Sequence, residues 1–302
     1  MIYVKPDFYD SFICRAGKCR HSCCIGWEID IDEDTAKYYE ELGGDMGSEL
    51  SANISRTPEK HFIMREDGRC PFLDGDGLCR IISTLGEDAL CEICAEHPRF
   101  YNCCEGRTEC GLGLCCEEAA SLLCSGMDSL RLTEYDDGVP DARDDFKEVL
   151  VKLRAEIFGI LSDKSRPLEA RAAAAFKLLG TKAPSFDAYV WADFYLTLER
   201  MDERWTQMLK KLKESAGIID LSGTERDIRS ERIFEYFIYR HLITAKDMEE
   251  AKKMLKFSYI STKMICALDT LDDSERDEHL RLYSAEIEYS DLNVNSVCSR
   301  FG

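Results

Sequence analysis

Cysteines are the residues of this 302-residue chain whose type and spacing most clearly indicate chemistry, and fourteen of the sixteen lie between Cys14 and Cys124. They form three groups, which in chain order are Cys14-x4-Cys19-x3-Cys23-Cys24, then Cys70, Cys79 and Cys91-x2-Cys94, and finally Cys103, Cys104, Cys110, Cys115, Cys116 and Cys124. In a reducing compartment, clustered thiolates bind metals or perform redox chemistry. Metal binding is therefore the first interpretation.

The adjacent pair Cys23-Cys24 restricts the geometry of any such site. Successive side chains of an extended backbone diverge, so two neighbouring cysteines do not readily reach one metal. Either a tight turn or two separate sites is implied.

The spacings favour an iron–sulfur cluster over zinc, although both take four thiolates. Zinc ribbons usually have two Cys-x2-Cys knuckles, and here only Cys91 and Cys94 form one. A cluster is larger than a single ion and accommodates irregular gaps more easily. Structural zinc and thiol redox or disulfide chemistry are the alternatives.

Two familiar cofactor motifs are interrupted in this sequence. Cys19 and Cys23 match the first gap of the Cys-x3-Cys-x2-Cys motif of radical enzymes, but Gly26 stands at the third position. Gly111-Leu-Gly113 leads into Cys115 and Cys116 rather than completing a Gly-x-Gly-x-x-Gly nucleotide loop. Radical chemistry and a Rossmann-type domain are both disfavoured.

The region that must position the cysteines is predicted to consist of short elements and turns. Helices are predicted over residues 35–42, 80–90 and 117–123, and a short strand over residues 61–64. Gly43 and Gly44 interrupt the first helix. The run from Asp74 to Gly77 predicts a turn that brings Cys70 back towards Cys79.

Beyond a breaker around Asp136, Gly138 and Pro140, the pattern changes to long amphipathic helices. Apolar residues recur at spacings of three and four at Phe146, Val149, Leu150, Leu153, Ile157, Ile160 and Leu161. Similar periods cover residues 189–212, 228–243 and 248–268. The aromatic stripe at residues 233–239 is more typical of core packing than of a cofactor or peptide groove.

The predicted fold is therefore mainly α. A cysteine-rich metal-binding domain with short strands and helices, residues 1–125, precedes a C-terminal helical bundle, residues 141–302.

Composition narrows the choice of partners and compartment. The chain has 39 basic and 58 acidic side chains, giving a formal net charge of −19, which disfavours nucleic acid as a partner. No apolar run approaches the roughly 20 residues of a membrane-spanning helix, and the first residues lack the features of a secretion signal. The sequence predicts a cytoplasmic protein that does not enter the membrane.

These motifs resemble the flagellin lysine-N-methylase family. The match is carried by Phe12-Ile-Cys14-x4-Cys19-x3-Cys23-Cys24-Ile-Gly-Trp27, Cys70-Pro-Phe-Leu73, Gly77-Leu-Cys79, Cys94-Ala-Glu-His-Pro-Arg99, Gly113-Leu-Cys-Cys116-Glu-Glu-Ala-Ala120 and, more weakly, Arg281-Leu-Tyr-Ser-Ala-Glu-Ile287. The family pattern often has proline where Glu117 stands, and the chain is short for the family. The first two groups also resemble non-catalytic zinc- or iron-binding cysteine-cluster proteins.

The resemblance implies methyl transfer from S-adenosylmethionine to lysines of flagellin or another lysine-bearing protein, with a [4Fe-4S] cluster required. Its matching positions nominate the metal ligands Cys14, Cys19, Cys23, Cys24, Cys70, Cys79, Cys94 and Cys116. One cubane cluster takes four thiolates, so the surplus either forms a second metal site or is structural.

Cofactor binding is predicted for Trp27 and Arg99, and no general base is nominated. Trp27 could stack on adenine or a methylated amine, and Arg99 could pair with a cofactor carboxylate. The alternatives are packing beneath the cysteine turn for Trp27 and a structural salt bridge for Arg99. His21 and His97 are ligand or proton-shuttle candidates, with a structural role the stronger interpretation for each.

Overall fold

The computed structural model describes residues 1–138 and 144–301, with the backbone alone at residues 225 and 226. It is 56% helical, which confirms the predicted mainly-α class. Within the described residues, no helix combines the length and apolarity needed to cross a bilayer. The predicted breaker residue Pro140 and the predicted domain start at residue 141 lie outside the described residues.

Six strands and thirteen α-helices make up the regular structure of the described residues. The strands are β1 (Ile2–Pro6), β2 (Ile54–Ser55), β3 (His61–Phe62), β4 (Arg99–Cys104), β5 (Arg107–Leu112) and β6 (Leu132–Asp136). The helices are α1 (Glu33–Glu41), α2 (Gly44–Ala52), α3 (Arg80–Leu85), α4 (Glu92–Glu96), α5 (Glu117–Ser125), α6 (Asp145–Leu161), α7 (Leu168–Leu178), α8 (Ala188–Tyr195), α9 (Glu203–Ser215), α10 (Ile228–Leu242), α11 (Met248–Leu271), α12 (Arg276–Tyr283) and α13 (Asp291–Ser299).

The chain forms two compact units. The cysteine unit consists of Ile13–Phe100 and Cys116–Glu118. The helical unit consists of Met1–Phe12, Tyr101–Cys115 and the described residues from Ala119 onwards. The predicted domains, 1–125 and 141–302, were drawn from composition and stay a prediction.

The cysteine unit encloses a small apolar core, and one acidic side chain ties two of its helices together. Asp32 accepts hydrogen bonds from the backbone N–H of Thr35, at 2.9 Å, and of Glu92, at 2.8 Å, and so caps the start of both α1 and α4. The buried apolar residues between the short elements include Ile29, Ile31, Tyr39, Leu50, Phe62 and Phe72. The core therefore lies directly beside the segments that carry the cysteines.

The helical unit contains a four-stranded sheet in the order β4-β5-β1-β6, with β1 parallel to β5 and antiparallel to β6. The central helices α10 and α11 are largely buried. The Tyr239 hydroxyl on α10 lies 3.0 Å from the Val4 carbonyl oxygen on β1 and 2.8 Å from that of Cys110 on β5. This contact joins the helices to the sheet.

Several predicted elements differ from those observed. The pattern over residues 189–212 is divided into α8 and α9, because Asp202 caps the start of α9 by accepting from the N–H of Arg204. The helix predicted over residues 80–90 ends at Leu85, where Gly86 adopts a φ of 93°. The strand predicted over residues 61–64 is confirmed but covers only two residues.

The observed burial of side chains agrees with the prediction for most of the apolar helix faces. Val149 was expected on the apolar face of α6 but is exposed. Every residue of the aromatic stripe at 233–239 is buried, so the stripe is core packing as its pattern favoured.

Candidate metal centre

Backbone hydrogen bonds bring the first two cysteine groups together. The N–H of Cys70 donates to the Cys24 carbonyl oxygen at 2.8 Å, and that of Gly26 donates to Gly68 at 2.9 Å. The segment around Cys24 therefore runs beside the segment that enters Cys70.

The predicted turn after Cys70 is confirmed, and it sets the position of Cys79. The Asp74 carboxylate accepts from the backbone N–H of Asp76 at 2.9 Å and of Leu78 at 2.8 Å. Gly77 has a φ of 74°, which favours glycine. Cys79 then forms a β-bridge with Leu73 and is the N-cap of α3.

Five thiols lie together inside the cysteine unit, and we call them the inner thiol group: Cys24, Cys70, Cys79, Cys91 and Cys94. Cys70 and Cys91 are 5% and 1% exposed, and the other three are half-buried. Burial and the charges of Cys24, Cys79 and Cys91 raise the pKa of Cys70 to about 11. Burial likewise raises the pKa of Cys79, with further contributions from Cys24 and Cys91. These pKa shifts indicate that the five sulfurs lie close enough for the charge of one to change the pKa of another.

Hydrogen bonds between thiols favour the thiolate at two positions. The S–H of Cys23 donates to Cys24 and lowers the pKa of Cys24 to about 7. A bond from Cys94 lowers the pKa of Cys91 in the same way. Thiolates are the form that binds metals. Two of the five soft sulfur donors are therefore shifted towards the ionised form that a metal takes.

Aromatic side chains border the inner thiol group. Tyr39 is buried, and its hydroxyl donates to the Ala89 carbonyl oxygen at 2.6 Å. Trp27 packs against the same core, its indole N–H donates to the Cys23 carbonyl oxygen at 2.6 Å, and its ring centroid lies 6.4 Å from that of His97. Burial lowers the pKa of His97 to about 4, so this imidazole is neutral at pH 7.

A second set of four cysteines, Cys14, Cys19, Cys23 and Cys116, forms the outer thiol group. Cys14 and Cys23 are exposed, whereas Cys19 and Cys116 are half-buried. The Cys23 thiol donates to Cys24, and that bond, together with the charges of Cys24, Cys14 and Cys116, raises the pKa of Cys23. Burial raises the pKa of Cys19 to about 11, with contributions from Glu117 and Cys116.

The structure places all eight predicted metal ligands in the cysteine unit. It divides them between the inner and outer thiol groups, and the adjacent cysteines Cys23 and Cys24 contribute one to each. Whether any of the eight holds a metal stays a prediction.

Sequence reasoning missed one residue of the inner thiol group and one residue beside the outer thiol group. Cys91 was omitted from the ligand set but belongs to the inner thiol group, and its Cys-x2-Cys spacing with Cys94 was the available signal. Glu117 was noted only as a departure from the family pattern, yet its carboxylate lies 3.6 Å from the Cys19 sulfur. The predicted cofactor residue Arg99 begins β4, and its guanidinium lies 3.5 Å from the Ala95 carbonyl oxygen.

The donor set of the inner thiol group is of the chemical type that a thiolate-ligated metal centre takes, because all five donors are soft sulfurs. No disulfide joins any of the sixteen cysteines, all of which lie in the described part of the chain. Across residues 1–138 and 144–301, no set of three or more His, Cys, Asp or Glu side chains has its donor atoms arranged around one ion-sized position.

Comparison with known proteins finds relatives over part of the chain. A segment of 145 residues, 43% of this chain, is 31% identical to the lysine-N-methylases of Salmonella choleraesuis and Salmonella typhimurium and covers 34% of each. It is 32% identical to the flagellar biosynthetic protein FliU of Salmonella muenchen and covers 82% of it.

The chain spans about a third of the length of the two lysine-N-methylases it matches. No family model matches the sequence, and no solved structure matches it.

Proposed function

Because the chain belongs to the flagellin lysine-N-methylase family, we propose that it is an S-adenosylmethionine-dependent protein lysine N-methyltransferase acting on flagellin, with a [4Fe-4S] cluster. The observation that carries the cluster assignment is the inner thiol group, in which five thiols from three chain segments gather around the core of the cysteine unit. Four of the five would hold the cluster.

The reaction transfers one methyl group between two heteroatoms. The bond from the methyl carbon to the sulfonium sulfur of S-adenosylmethionine breaks as a bond to the lysine Nζ forms. S-adenosylhomocysteine leaves with the bonding electron pair, and the amine loses a proton to solvent. Only the neutral amine attacks, and a free lysine with a pKa near 10.4 is almost entirely protonated at pH 7. Positioning and desolvation of the amine are therefore the main tasks of the protein.

Residues beside the inner thiol group are suited to those tasks. The indole N–H of Trp27 donates to the Cys23 carbonyl oxygen and so fixes the orientation of the ring. The face of this ring can receive a sulfonium or a methylated amine. The neutral imidazole of His97 lies beside that ring and adds no positive charge that would oppose a cationic ligand. Arg99 is the proposed partner of the cofactor carboxylate.

When bound, an iron–sulfur cluster supplies an iron that can take amino and carboxyl donors. Cys24, Cys70, Cys79, Cys91 and Cys94 are the residues that would hold it. Their thiolates must stay reduced, which supports a cytoplasmic setting. The net charge of −19 supports a lysine-bearing partner, because it attracts basic segments over long range.

Anaerobic purification tests the proposal. We expect a brown protein whose iron and sulfide contents fit a four-iron cluster, which binds labelled S-adenosylmethionine and methylates lysines of purified flagellin, as read by mass spectrometry. Cys70→Ser and Cys91→Ser should each remove the visible absorption and the methyl transfer. Cys103→Ser is the matched control, because Cys103 is an exposed cysteine of the helical unit.

Two results would contradict the assignment. Colourless protein that holds zinc and no iron would remove the cluster. Iron-loaded protein that neither binds S-adenosylmethionine nor methylates flagellin would instead indicate a non-catalytic metal-binding protein.

A further inference from the structure

A guanidinium group lies against two aromatic rings on one face of α8, in the helical unit. Trp191 and Phe194 are three residues apart on this helix, so their side chains are neighbours. Their ring centroids are 5.9 Å apart and the ring planes meet at 80°. The guanidinium carbon of Arg300, the residue that follows α13, lies 5.5 Å from the Trp191 centroid and 4.5 Å from the Phe194 centroid. We call the two rings the aromatic slot.

The aromatic slot is supported by buried rings that fix its position. Trp191 is 6% exposed, and its indole N–H donates to the Ser185 carbonyl oxygen at 3.3 Å. The ring centroid of Tyr195 lies 6.1 Å from that of Trp191 and 6.3 Å from that of Trp205, and both Tyr195 and Trp205 are fully buried. Because Trp191 is already held in place, binding a ligand there requires little ordering of the protein.

Arg300 occupies the aromatic slot without a polar partner for its side chain. Among residues 1–138 and 144–301, its guanidinium has no hydrogen-bond acceptor and no carboxylate partner. The residue is exposed, and its backbone N–H is bonded to the Val297 carbonyl oxygen at 3.2 Å. The side chain can therefore move into water while the backbone stays in place. Since an exposed cation–π contact is weak, another cation can displace this one.

The chemistry of the aromatic slot favours a methylated ammonium over a free one. Ring faces attract a cation through their quadrupole but are poor hydrogen-bond acceptors. The ammonium of an unmodified lysine is strongly hydrated, and its N–H donors would lose water at the rings without gaining acceptors. A trimethylated lysine keeps the positive charge and has no N–H group to satisfy. Of the two side chains, the methylated one therefore matches the slot.

We propose that the aromatic slot is a binding site for methylated lysine side chains, and that Arg300 occupies it until such a side chain competes. The choice of ligand rests on the proposed function, whose product is a methylated lysine. Binding is non-covalent and replaces one cation on the rings with another. A protein that already carries one methylated lysine would thereby be retained while further lysines react.

Titration of the anaerobically purified full chain with the N-acetyl amide of trimethyllysine tests the site. The indole N–H resonance of Trp191, identified with Trp191→Phe in a proton–nitrogen correlation spectrum, reports on the slot. The resonance of Trp27 reports separately on the cysteine unit. We expect a saturable shift of the Trp191 resonance, with binding at least about tenfold weaker for the same amide of unmodified lysine.

Variants of the slot should change this affinity in opposite directions. Arg300→Ala should bind the trimethyllysine probe about threefold to tenfold more tightly, because the internal competitor is gone. A misfolded variant would not gain affinity. Phe194→Leu removes one ring but keeps an apolar side chain, and it should bind more weakly. Arg166→Ala is the matched control, because Arg166 is an exposed arginine whose guanidinium donates to the Ala170 carbonyl oxygen at 3.0 Å.

Three results would overturn the proposal. They are a Trp191 resonance that stays in place in both the wild type and Arg300→Ala, equal binding of the lysine and trimethyllysine probes, and an Arg300→Ala variant that binds no better than Arg166→Ala. Failure of the proposed function is read separately, from binding of S-adenosylmethionine and methylation of flagellin. A protein that methylates flagellin but whose Trp191 resonance ignores the probe would remove this site alone.

Discussion

At the residue scale, the helical unit contains charges that are fully withdrawn from water. Glu109 is 0% exposed and accepts from two nitrogens of Arg154, at 2.5 and 2.6 Å, and from Arg107 at 2.6 Å. These guanidinium groups keep the pKa of Glu109 below its usual value despite the opposing effect of burial. A buried carboxylate of this kind depends on its partners to remain ionised.

Removing the partner should therefore destabilise the helical unit. We expect Arg154→Met to lower the free energy of unfolding by about 3–5 kcal/mol, because it leaves Glu109 with one guanidinium in a dry environment. Urea denaturation measures the change. Adding Glu109→Gln to this variant should restore much of the loss, and a double variant no more stable than Arg154→Met alone would contradict the explanation.

Glu235 presents the opposite case. One carboxylate oxygen accepts from the Leu130 N–H at 2.6 Å, and the other is buried with no partner among the described residues. Burial, with the nearby Glu231, raises the pKa of Glu235 to about 8. The native state therefore holds this proton between about pH 4.5 and 8 while the unfolded chain has released it, and stability falls as pH rises through that range.

Glu235→Gln should remove this pH dependence. The variant and the wild type should have similar free energies of unfolding at pH 4.5, and the variant should be about 3–5 kcal/mol more stable at pH 8.5. Urea denaturation at both pH values tests the prediction. Glu214→Gln is the exposed control and should show the same small difference at each pH. A difference for Glu235→Gln that does not grow with pH would refute the assignment of this proton.

At the scale of elements, α2 depends on a glycine for its place beside α1. A Cβ at Gly47 would stand 1.8 Å from the Leu42 carbonyl oxygen, which follows α1 directly. Because the obstacle is backbone, a side chain at this position cannot be accommodated by rotation. Gly47 and Leu50 of α2 are both buried in the cysteine unit.

Gly47→Ala should therefore destabilise the cysteine unit by about 1–3 kcal/mol, despite the higher helix propensity of alanine. Thermal unfolding of the holoprotein measures the loss. Gly75→Ala is the control, because no atom lies within 4 Å of its added Cβ, and its stability should stay near that of the wild type. Equal melting temperatures for the two variants would show that α2 shifts freely.

At the scale of the whole molecule, the two units differ in the size and composition of their apolar cores. The core of the helical unit is rich in buried aromatic side chains such as Phe237 and Phe257, whereas the cysteine unit has a smaller apolar core flanked by thiols. Small units of this kind commonly depend on bound metal.

Removal of the proposed metal should therefore affect the two units unequally. After anaerobic treatment with a chelator, we expect amide hydrogen exchange to accelerate by at least about 100-fold in residues 13–100, while α10 and α11 keep their protection. Hydrogen exchange followed by mass spectrometry measures both regions at once. Unchanged exchange in the cysteine unit after complete loss of metal would mean that its core is sufficient without metal.

Local pattern was enough to predict the mainly-α class, the buried stripe on α10 and the turn after Cys70. Each depends on residues close together in the chain, through helical periodicity or turn-forming residues. The strands β1, β5 and β6 were not predicted, because their pairing joins residues about 100 or more positions apart. The separation of α8 from α9 likewise depends on capping and on Glu286, which accepts from the N–H of Met201 and Asp202.

The sequence by itself indicated eight of the nine thiols of the cysteine unit, since the cysteines selected by the family motifs all fall there, and it omitted Cys91. Only the tertiary structure decided how they divide. Spacing along the chain does not specify which sulfurs meet. Cys24 lies beside Cys70 because the two residues share a backbone hydrogen bond, and Cys116 lies beside the segment from Cys14 to Cys19 because Glu117 accepts a hydrogen bond from Arg15. Contacts between residues distant in sequence depend on the folded path of the chain, and they separate the inner thiol group from the outer one.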